Sequence, residues 1–489
     1  MKRKAKIYYT SLDDFWRKEE KLAWLRDNPI SKIEFERLEP DAKHNWINQT
    51  DNDFETLLPL ASKDVKQGKA EEAIFEMFSL GVVTARDEWV YDFDKDFLIE
   101  KVNFLIDSYN KDLKTFKRKS KDEIKEEIGN RDKREIKWSR AVINDIAKGK
   151  QYKFDETAIQ ESMYRPFVKA SIYFSKELNE MQYQLPYLIN AQKENFFICY
   201  VAGNRLDFSC FATKYLPNYA IYSLDPAQCL PLNRFEQNSN QPVGNITDWA
   251  LNQFQTHYGN KSEPPAVAGG SIKTGKKNPS ATADGSDKTN GAQITKQDIF
   301  YYTYGVLHSP QYRKKYGQNL KREFPRLPFY EDFTNWRDWG RELMDLHINY
   351  ESQDAFALGR KDLDLTPKQK VKQDDFFADL AEMEKETFTV KPKTKLRADK
   401  TNGTIEIDSH TTLTGVPALA WEYKLGNRSA LEWILDQYKE KKPSDATIAE
   451  RFNTYKFEDY KEQVIDLLRR VCNVSVKTMD IVNQMPNAD

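Results

Sequence analysis

Cysteine and histidine are scarce in this sequence of 489 residues, which contains four cysteines and five histidines. The cysteines form no CxxC pair and have no histidine partner nearby, and they stand at Cys199, Cys210, Cys229 and Cys472. The histidines are scattered without metal-ligand spacing, at positions 44, 257, 308, 347 and 410. These patterns argue against a zinc site and a disulfide framework, and they fit a reducing compartment. We expect no metal site, and we interpret the histidines as core or surface residues.

Long apolar runs are also missing. No run approaches the roughly 18 apolar residues of a membrane-spanning helix, and the basic N-terminus has no apolar segment of the kind found in secretory signals. We therefore expect a cytoplasmic chain with no membrane partner. An excess of one charge is absent too, because 75 lysines and arginines face 76 acids. Any surface that binds nucleic acid must then come from local clustering of cations.

The motifs of several enzyme classes are absent. The sequence has no phosphate-binding GxxxxGK[ST] loop, no GxGxxG after a predicted strand, and no Asn/Asp-Pro-Pro-Tyr/Phe tetrapeptide of amino-methyltransferases. We expect no complete catalytic centre and no cofactor site in this chain.

One group of residues keeps an enzymatic interpretation open. Asp408 precedes Glu422 and Lys424 by fourteen and sixteen residues, on segments that both resemble strands. Magnesium-dependent nucleases use an acid followed by Glu-x-Lys to hold a metal ion and to orient a water molecule. A stand-alone nuclease is therefore one alternative, although such loose spacing also arises by chance in a chain with 31% charged residues. We expect Glu422 to lie within an apolar strand and to matter for stability.

Helical and β-rich patterns alternate along the chain. Residues 5–9 predict a strand, residues 12–25 a short helix, and residues 97–109 a longer amphipathic helix. Residues 111–134 carry ten lysines and arginines against six acids, which is typical of a solvated helix face, with a phosphate-binding face as the alternative. Three short aromatic and β-branched runs then predict strands at 195–201, 208–213 and 219–224. Turn-forming residues at 202–205 and 216–218 separate these runs.

The C-terminal part predicts helices and one pair of strands. Helical periodicity covers 296–324, 429–438 and 460–471. We expect a final helix from Ser475, capped by its hydroxyl, to about Met485. The strand pair is predicted at 403–407 and 418–423.

Residues 259–293 consist mainly of Gly, Ser, Thr, Ala, Pro, Asn and Lys, which predicts a disordered loop or linker. The whole chain predicts an α+β fold. We expect an N-terminal edge and connecting segment at 1–95, a helical spacer at 96–158 and a β-rich module at 159–258. The linker at 259–293 and a mostly helical C-terminal part at 294–489 follow.

Long segments of the sequence resemble single-chain restriction enzymes. Residues 299–316 (IFYYTYGVLHSPQYRKKY) and 320–328 (LKREFPRLP) resemble the region after the specificity module of these enzymes. Residues 415–433 (GVPALAWEYKLGNRSALEW) resemble the C-terminal signature of the Type ISP family, in which nuclease, translocase, methyltransferase and recognition domain share one polypeptide. Residues 78–91 and 470–479 are similar to that family as well. The resemblance covers nearly the whole chain.

The resemblance implies sequence-specific recognition of double-stranded DNA, which directs methylation and cleavage by other domains or chains. Residues 6–9 and 15–20 resemble the last hairpin and helix of the family's methyltransferase domain. S-adenosylmethionine, magnesium and ATP would belong to the parent enzyme, and a methyltransferase–translocase polypeptide is the expected protein partner. A split gene, a truncated remnant and an excised fragment would each give this sequence, and an inactive interaction remnant is the second alternative function.

Five residues of the β-rich module are our candidates for DNA contact: Arg165, Lys169, Asn204, Arg205 and Lys214. Cations hold phosphates, while Arg and Asn reach base edges. These residues lie in a stretch that combines strands, tight turns and spaced cations without matching acids. Lys321, Arg322 and Arg326 are the next candidates, and they equally suit a helix end, where cations interact with the dipole.

Overall fold

The chain contains both helices and small, mostly antiparallel sheets. The computed structural model describes residues 5–486, except 13–15, 17, 42–43, 48–49, 51, 63–64, 66–71, 133, 191–192, 204, 224, 236–240, 260–292 and 364–391. Nearly all of the predicted linker and the candidate residue Asn204 therefore lie outside the described residues. The α+β class predicted from the sequence is confirmed.

The helices of the described residues range from one turn to seven turns. They are α1 (Lys18–Asp27), α2 (Asp87–Val90), α3 (Lys95–Thr115), α4 (Lys121–Gly129), α5 (Arg140–Ala147), α6 (Asp248–Gly259), α7 (Lys296–His308), α8 (Pro310–Leu320), α9 (Phe333–Ile348), α10 (Ala418–Glu422), α11 (Ala430–Gln437), α12 (Ala446–Arg451) and α13 (Phe457–Val482). None of them is both long and apolar enough to cross a membrane.

The strands are short. In the first half of the chain they are β1 (Ile7–Tyr9), β2 (Glu36–Leu38), β3 (Leu58–Pro59), β4 (Ser79–Leu80), β5 (Tyr91–Asp92), β6 (Ile159–Arg165), β7 (Val168–Tyr173), β8 (Phe197–Val201), β9 (Ser209–Thr213), β10 (Leu216–Pro217), β11 (Gln228–Pro231), β12 (Asn233–Phe235) and β13 (Pro242–Gly244). The later strands are β14 (Arg326–Leu327), β15 (Gly359–Asp362), β16 (Thr394–Asp399), β17 (Thr404–Asp408), β18 (Thr411–Thr414), β19 (Lys424–Leu425) and β20 (Arg428–Ser429).

Three four-stranded sheets organise the described residues. Their strand orders are β10-β6-β7-β5, β4-β11-β8-β9 and β15-β18-β17-β16. The second sheet packs against α7 and α9, and every residue of β8 and β9 is buried. Strands that are buried along their whole length are typical of a sheet covered on both faces. This sheet therefore provides a rigid base for the loops that connect its strands.

Two apolar cores hold the fold together. The larger core joins the β8–β9 sheet to α7, α9, α11 and α13. The smaller core lies between α3, α5 and the β6–β7 hairpin, with Val102, Ile146 and Ile172 among its fully or almost fully buried members. The helical residues predicted as a spacer thus share a core with the first hairpin of the β-rich stretch.

Several sequence-based predictions of single elements were correct. β8 and β9 fall within the predicted runs 195–201 and 208–213, and α3 contains the predicted helix 97–109. Ser429 caps α11 through a capping box with Glu432, as expected for a helix that begins there. The predicted N-terminal strand also forms, and β2 is its partner.

Four element predictions were wrong. Residues 418–422 form helix α10 rather than a strand, and β17 pairs instead with β16 and β18. Residues 219–222 form a turn, whereas Leu216–Pro217, expected in a turn, form β10. No helix starts at Ser475, because its hydroxyl donates to the Val471 carbonyl within the continuous helix α13.

Candidate nucleic-acid interface

The loop that joins β8 to β9, residues 202–208, carries the candidate residue Arg205. The Arg205 side chain is 60% exposed, and its Nη2 lies 2.5 Å from Oδ1 of the largely buried Asp225. The Arg205 Nε also donates to that oxygen, at 2.7 Å. The ion pair fixes the base of the guanidinium, while most of the side chain faces solvent. Arg205 is therefore an exposed arginine whose guanidinium is anchored on one side by Asp225.

The end of helix α8 lies beside this loop. Lys321 borders two cavities, one of about 390 Å³ together with Ala202 and Arg322, and one of about 490 Å³ together with Phe208 and Lys424. Since Ala202 and Phe208 are the two ends of the loop, the loop stands between the cavities. Arg205, Phe208, Lys321, Arg322 and Lys424 define what we call the hairpin-tip surface.

Cations outnumber acids around the hairpin-tip surface. The cations that border the two cavities or belong to the loop are Arg205, Arg313, Lys314, Lys321, Arg322, Arg326 and Lys424, and the acids are Asp207, Glu323 and Glu422. Lys321 and Arg322 are exposed and make no ion pair within the described part of the chain. Both follow α8 directly, so an interaction with the helix dipole and a contact with phosphate are compatible. Arg326 differs, because its Nη2 pairs with Glu55 at 2.9 Å.

The candidates Lys169 and Lys214 lie around the ring of Tyr215. Their Nζ atoms stand 5.0 and 5.9 Å from the ring centroid. Lys169 pairs with Glu161 at 2.8 Å and with Glu351 at 3.3 Å. Burial lowers the pKa of Lys169, but these two acids outweigh it and raise the pKa above its usual value. Lys169 is therefore protonated, and its positive charge is balanced by the two carboxylates.

The expectation that these cations lack matching acids was wrong. Lys214 pairs with Glu194 at 3.1 Å, and Arg205 and Lys169 have the partners described above. Arg165 has no acid partner among the described residues, but its guanidinium lies 4.0 Å from the Tyr164 ring centroid and donates to the Tyr164 carbonyl at 2.6 Å. The acids come from other strands and loops of the fold, which the local sequence does not show.

The candidate residues do not form one group. Arg205 precedes the first residue of β9, while Lys214 follows its last residue. The two residues therefore stand at opposite ends of that strand. Lys169 lies with Lys214 at the Tyr215 ring, and of the candidates that the structure describes only Arg205 lies on the hairpin-tip surface. Contact of any of these residues with DNA stays a prediction.

The residues of the possible nuclease site do not assemble. Asp408 is buried and pairs with Lys461 at 2.8 Å, and it accepts from the backbone amides of His410 and Thr411. Burial raises the pKa of Asp408, but the Lys461 ammonium and the amides hold it below its usual value. Glu422 lies exposed on α10, so its expected place in an apolar strand was wrong. Among the described residues, no three His, Cys, Asp or Glu side chains form a possible metal site.

Comparison with known proteins places the chain in a family. The profile of the Type ISP C-terminal specificity domain matches residues 73–467. No curated protein sequence matches the chain.

Solved structures with the same fold contain DNA. The chain is similar to a cryo-EM structure of a DrdV–DNA complex, with a TM-score of 0.80 and 42% identity over 99% of this chain and 43% of that chain. It is also similar to a nuclease-deletion mutant of the Type ISP restriction-modification enzyme LlaGI in complex with a DNA substrate mimic, with a TM-score of 0.73 and 26% identity over 99% of this chain and 39% of that one.

A third structure supports the fold alone. It is the ATP-dependent Type ISP restriction-modification enzyme LlaBIII bound to DNA, with a TM-score of 0.67 and 22% identity over 93% of this chain and 26% of that chain. The chain spans less than half the length of each of these three proteins. With the match over 73–467, the chain belongs to the Type ISP C-terminal specificity domain family, as its sequence motifs indicate.

Proposed function

We propose that this chain is the DNA target-recognition module of a restriction-modification enzyme, which binds double-stranded DNA and reads its sequence. The observation that carries the proposal is the 42% identity to a DNA-bound structure over 99% of the chain. The family description, a specificity domain, points to the same role. Methylation and cleavage, with their cofactors, would then belong to other domains or chains.

The hairpin-tip surface is our proposed reading surface. A two-stranded ribbon fits into the major groove of B-DNA, where Arg forms a bidentate pair with guanine. Because β8 and β9 are themselves buried, the loop between them, with the exposed Arg205, is the part of this hairpin that can reach a base edge. Lys321 and Arg322 stand beside it without acid partners among the described residues, so they are free to contact phosphates. The surface thus combines a base-reading group with backbone contacts.

Replacing Arg205 with lysine is expected to relax the preference for one base pair. Lysine keeps the positive charge beside Asp225 but loses the planar fork that recognises guanine. The discrimination lost should be about 1–3 kcal/mol at that position. Selection of bound sequences from random duplexes, followed by competition with single-base variants, measures it. Arg205→Ala is the less suitable variant, because it leaves the largely buried Asp225 carboxylate without its cation.

The control for Arg205 is Arg165→Lys. Arg165 lies against the Tyr164 ring and donates to the Tyr164 carbonyl, and it borders neither cavity beside the hairpin tip. We expect its substitution to leave the sequence preference unchanged. An unchanged preference in Arg205→Lys, or a relaxed preference in Arg165→Lys alone, would place the reading surface elsewhere on the β-rich module.

Lys321→Ala and Arg322→Ala are each expected to weaken binding to all duplexes alike. A phosphate contact releases counterions, so the slope of log affinity against log salt should fall by about one per residue removed. Fluorescence anisotropy with labelled duplexes at several salt concentrations measures both quantities.

Lys169→Ala and Lys214→Ala are the matched comparison. These lysines are already paired with acids, and we expect smaller changes in the slope for them than for Lys321 and Arg322. If only the Lys169 and Lys214 variants change the slope, the cluster around Tyr215 is the phosphate-binding surface. Duplex binding that is absent, or independent of salt, in folded protein would contradict the proposed function itself.

The chain alone is expected to cut no DNA above background in the presence of magnesium or manganese. The reason is that Asp408 pairs with Lys461, and that the described residues contain no group of acids, histidines or cysteines that could hold a metal ion. Incubation of supercoiled plasmid with the purified protein measures cleavage directly. Metal-dependent cutting that Glu422→Gln abolishes would restore the nuclease interpretation.

A further inference from the structure

Two polar side chains of the β8–β11 pair have no hydrogen-bond partner for one of their atoms. Tyr200 on β8 and Gln228 on β11 are directly opposite each other in the antiparallel register, so their side chains lie side by side on one face of the sheet. The Tyr200 side chain is fully buried, and both Tyr200 Oη and Gln228 Oε1 are buried without a partner. The nearby buried Tyr222 differs, because its hydroxyl donates to the Cys199 carbonyl at 2.7 Å.

An unpartnered buried polar group is costly. Such a group loses its hydrogen bonds to water on folding and gains none in return. Two such atoms on neighbouring strands therefore need an explanation. Tyr200 and Gln228 both border the cavity of about 390 Å³ beside the hairpin tip, where a bound ligand would supply the missing partners.

The cavity has a polar wall, an apolar wall and a charged rim. Pro59, Ala61 and the Phe324 ring supply apolar surface, while Lys321 and Arg322 supply positive charge. Arg326 and one acid, Glu323, also border the cavity, but Arg326 is paired with Glu55. The volume lies within the range of about 300–1,000 Å³ that is usual for small-molecule sites. A ligand that fits must have a flat apolar body, a hydrogen-bonding edge and a negative group.

We propose that this cavity binds one nucleotide, with the edge of its base against Tyr200 and Gln228 and its phosphate at Lys321 and Arg322. Two sources share this chemistry: a free mononucleotide, and a nucleotide displaced from the bound duplex. The second source rests on the proposed function, since Lys321 and Arg322 also belong to the hairpin-tip surface. The first source does not rest on it.

Titration calorimetry with the four deoxynucleoside monophosphates and with inorganic phosphate tests the first source. Tyr200→Phe and Gln228→Met each remove one unpartnered atom and keep much of the side-chain volume. We expect at least a tenfold loss of affinity for the preferred nucleotide in each variant. Inorganic phosphate should bind more weakly than the nucleotide, with no change in Tyr200→Phe and a loss in Arg322→Ala.

Tyr423→Phe is the matched control. The Tyr423 hydroxyl is also buried and without a hydrogen-bond partner, but this tyrosine borders the neighbouring cavity. Its substitution should leave nucleotide affinity unchanged. Without ligand, Tyr200→Phe should melt at the same temperature as the parent chain or higher, because it removes an unsatisfied hydroxyl. A purely structural role for that hydroxyl would lower the melting temperature.

Duplexes that carry 2-aminopurine at successive positions of the selected target test the second source. A displaced base gives increased fluorescence on binding, and we expect Tyr200→Phe to abolish the increase at protein concentrations that keep the duplex bound. Nucleotide binding without this increase identifies a free nucleotide as the ligand. If neither nucleotide binding nor the increase occurs, the nucleotide pocket is wrong, even where duplex binding remains intact. If duplexes fail to bind while nucleotides bind, the proposed function is wrong and the pocket stands.

Discussion

Gly340→Ala is expected to destabilise the chain by more than about 2 kcal/mol, although alanine favours helices. Helices α7 and α9 cross where Gly305 and Gly340 meet. A Cβ at Gly340 would overlap the backbone carbonyl of Tyr301, and one at Gly305 would overlap the carbonyl of Trp336. Backbone atoms cannot turn aside as the end of a side chain does, so the helices must separate. Overpacking of a core costs about 1–3 kcal/mol or more, which exceeds the gain of about 1 kcal/mol in helix propensity.

Gly317→Ala is the matched control for this prediction. Gly317 also lies inside a helix, α8, but nothing stands within 4 Å of its ideal Cβ position. There only the helix propensity changes, and we expect a stabilisation of up to about 1 kcal/mol. Urea denaturation of the three proteins gives the free energies of unfolding. Equal stability of Gly340→Ala and Gly317→Ala would show that α7 and α9 do not approach as closely as the structure has them.

This crossing also shows what the sequence could predict. The aromatic, helical pattern of residues 296–324 predicts α7 and α8, but nothing in it identifies Gly305 as a contact with Gly340, 35 residues later. Periodicity reports which face of a helix is buried. It does not report which element covers that face.

Local side-chain bonds explain two wrong predictions. The run 219–224 has strand-forming residues, but the Asn218 side chain accepts from the Ala220 amide and starts a turn. Ser475 has the residue type of a helix cap, but its hydroxyl bonds back to Val471 while the helix continues. At residues 418–422 the apolar run is too short for periodicity to separate strand from helix.

The candidate site was predictable in part. A turn between two apolar strands with an exposed arginine can be read from residues 197–213, and Arg205 stands there. The acids that neutralise Lys169 and Lys214 could not be predicted, because Glu351 is 182 residues away from Lys169. The pairing of Tyr200 with Gln228 depends on strand register, which the sequence alone does not specify.

The stability of the chain is expected to fall steeply between pH 7 and pH 5 because of two buried histidines. His347 Nδ1 lies 2.5 Å from Tyr304 Oη, and its Nε2 lies 2.9 Å from Thr478 Oγ1. Burial lowers the pKa of His347 to about 3. Burial, together with the charge of Arg313 and the neighbouring His347, lowers the pKa of His308 well below its usual value. Both rings are therefore neutral in the folded chain at pH 7.

The direction of the effect follows from proton binding. An unfolded histidine has a pKa of about 6.5, above that of the folded state, so the unfolded chain binds more protons between the two values. Stability is complete above about pH 6.5 and is lost as the pH falls towards the folded pKa values. At pH 5 His347 should cost about 2 kcal/mol, since one pH unit corresponds to about 1.4 kcal/mol, and His308 acts in the same direction. A loss of this size is a substantial share of the stability of a typical protein, which is about 5–15 kcal/mol.

Carboxylates with lowered pKa values act in a different range. Asp408 and Glu432 have folded pKa values below their usual ones, so their contribution is lost only as the pH falls below about 4.5. Measurements between pH 5 and pH 7 therefore report mainly on the histidines.

His347→Gln tests the origin of this pH dependence. Glutamine offers both a donor and an acceptor, so it can bond to Tyr304 and Thr478 without a group that titrates. We expect a lower stability at pH 7 from the imperfect fit, and a loss between pH 7 and pH 5 that is smaller than that of the parent chain by about 2 kcal/mol. Urea denaturation at constant ionic strength measures both. A variant with the full pH dependence of the parent chain would mean that His347 is not buried as a neutral ring, and that the contacts among α7, α9 and α13 differ from those described.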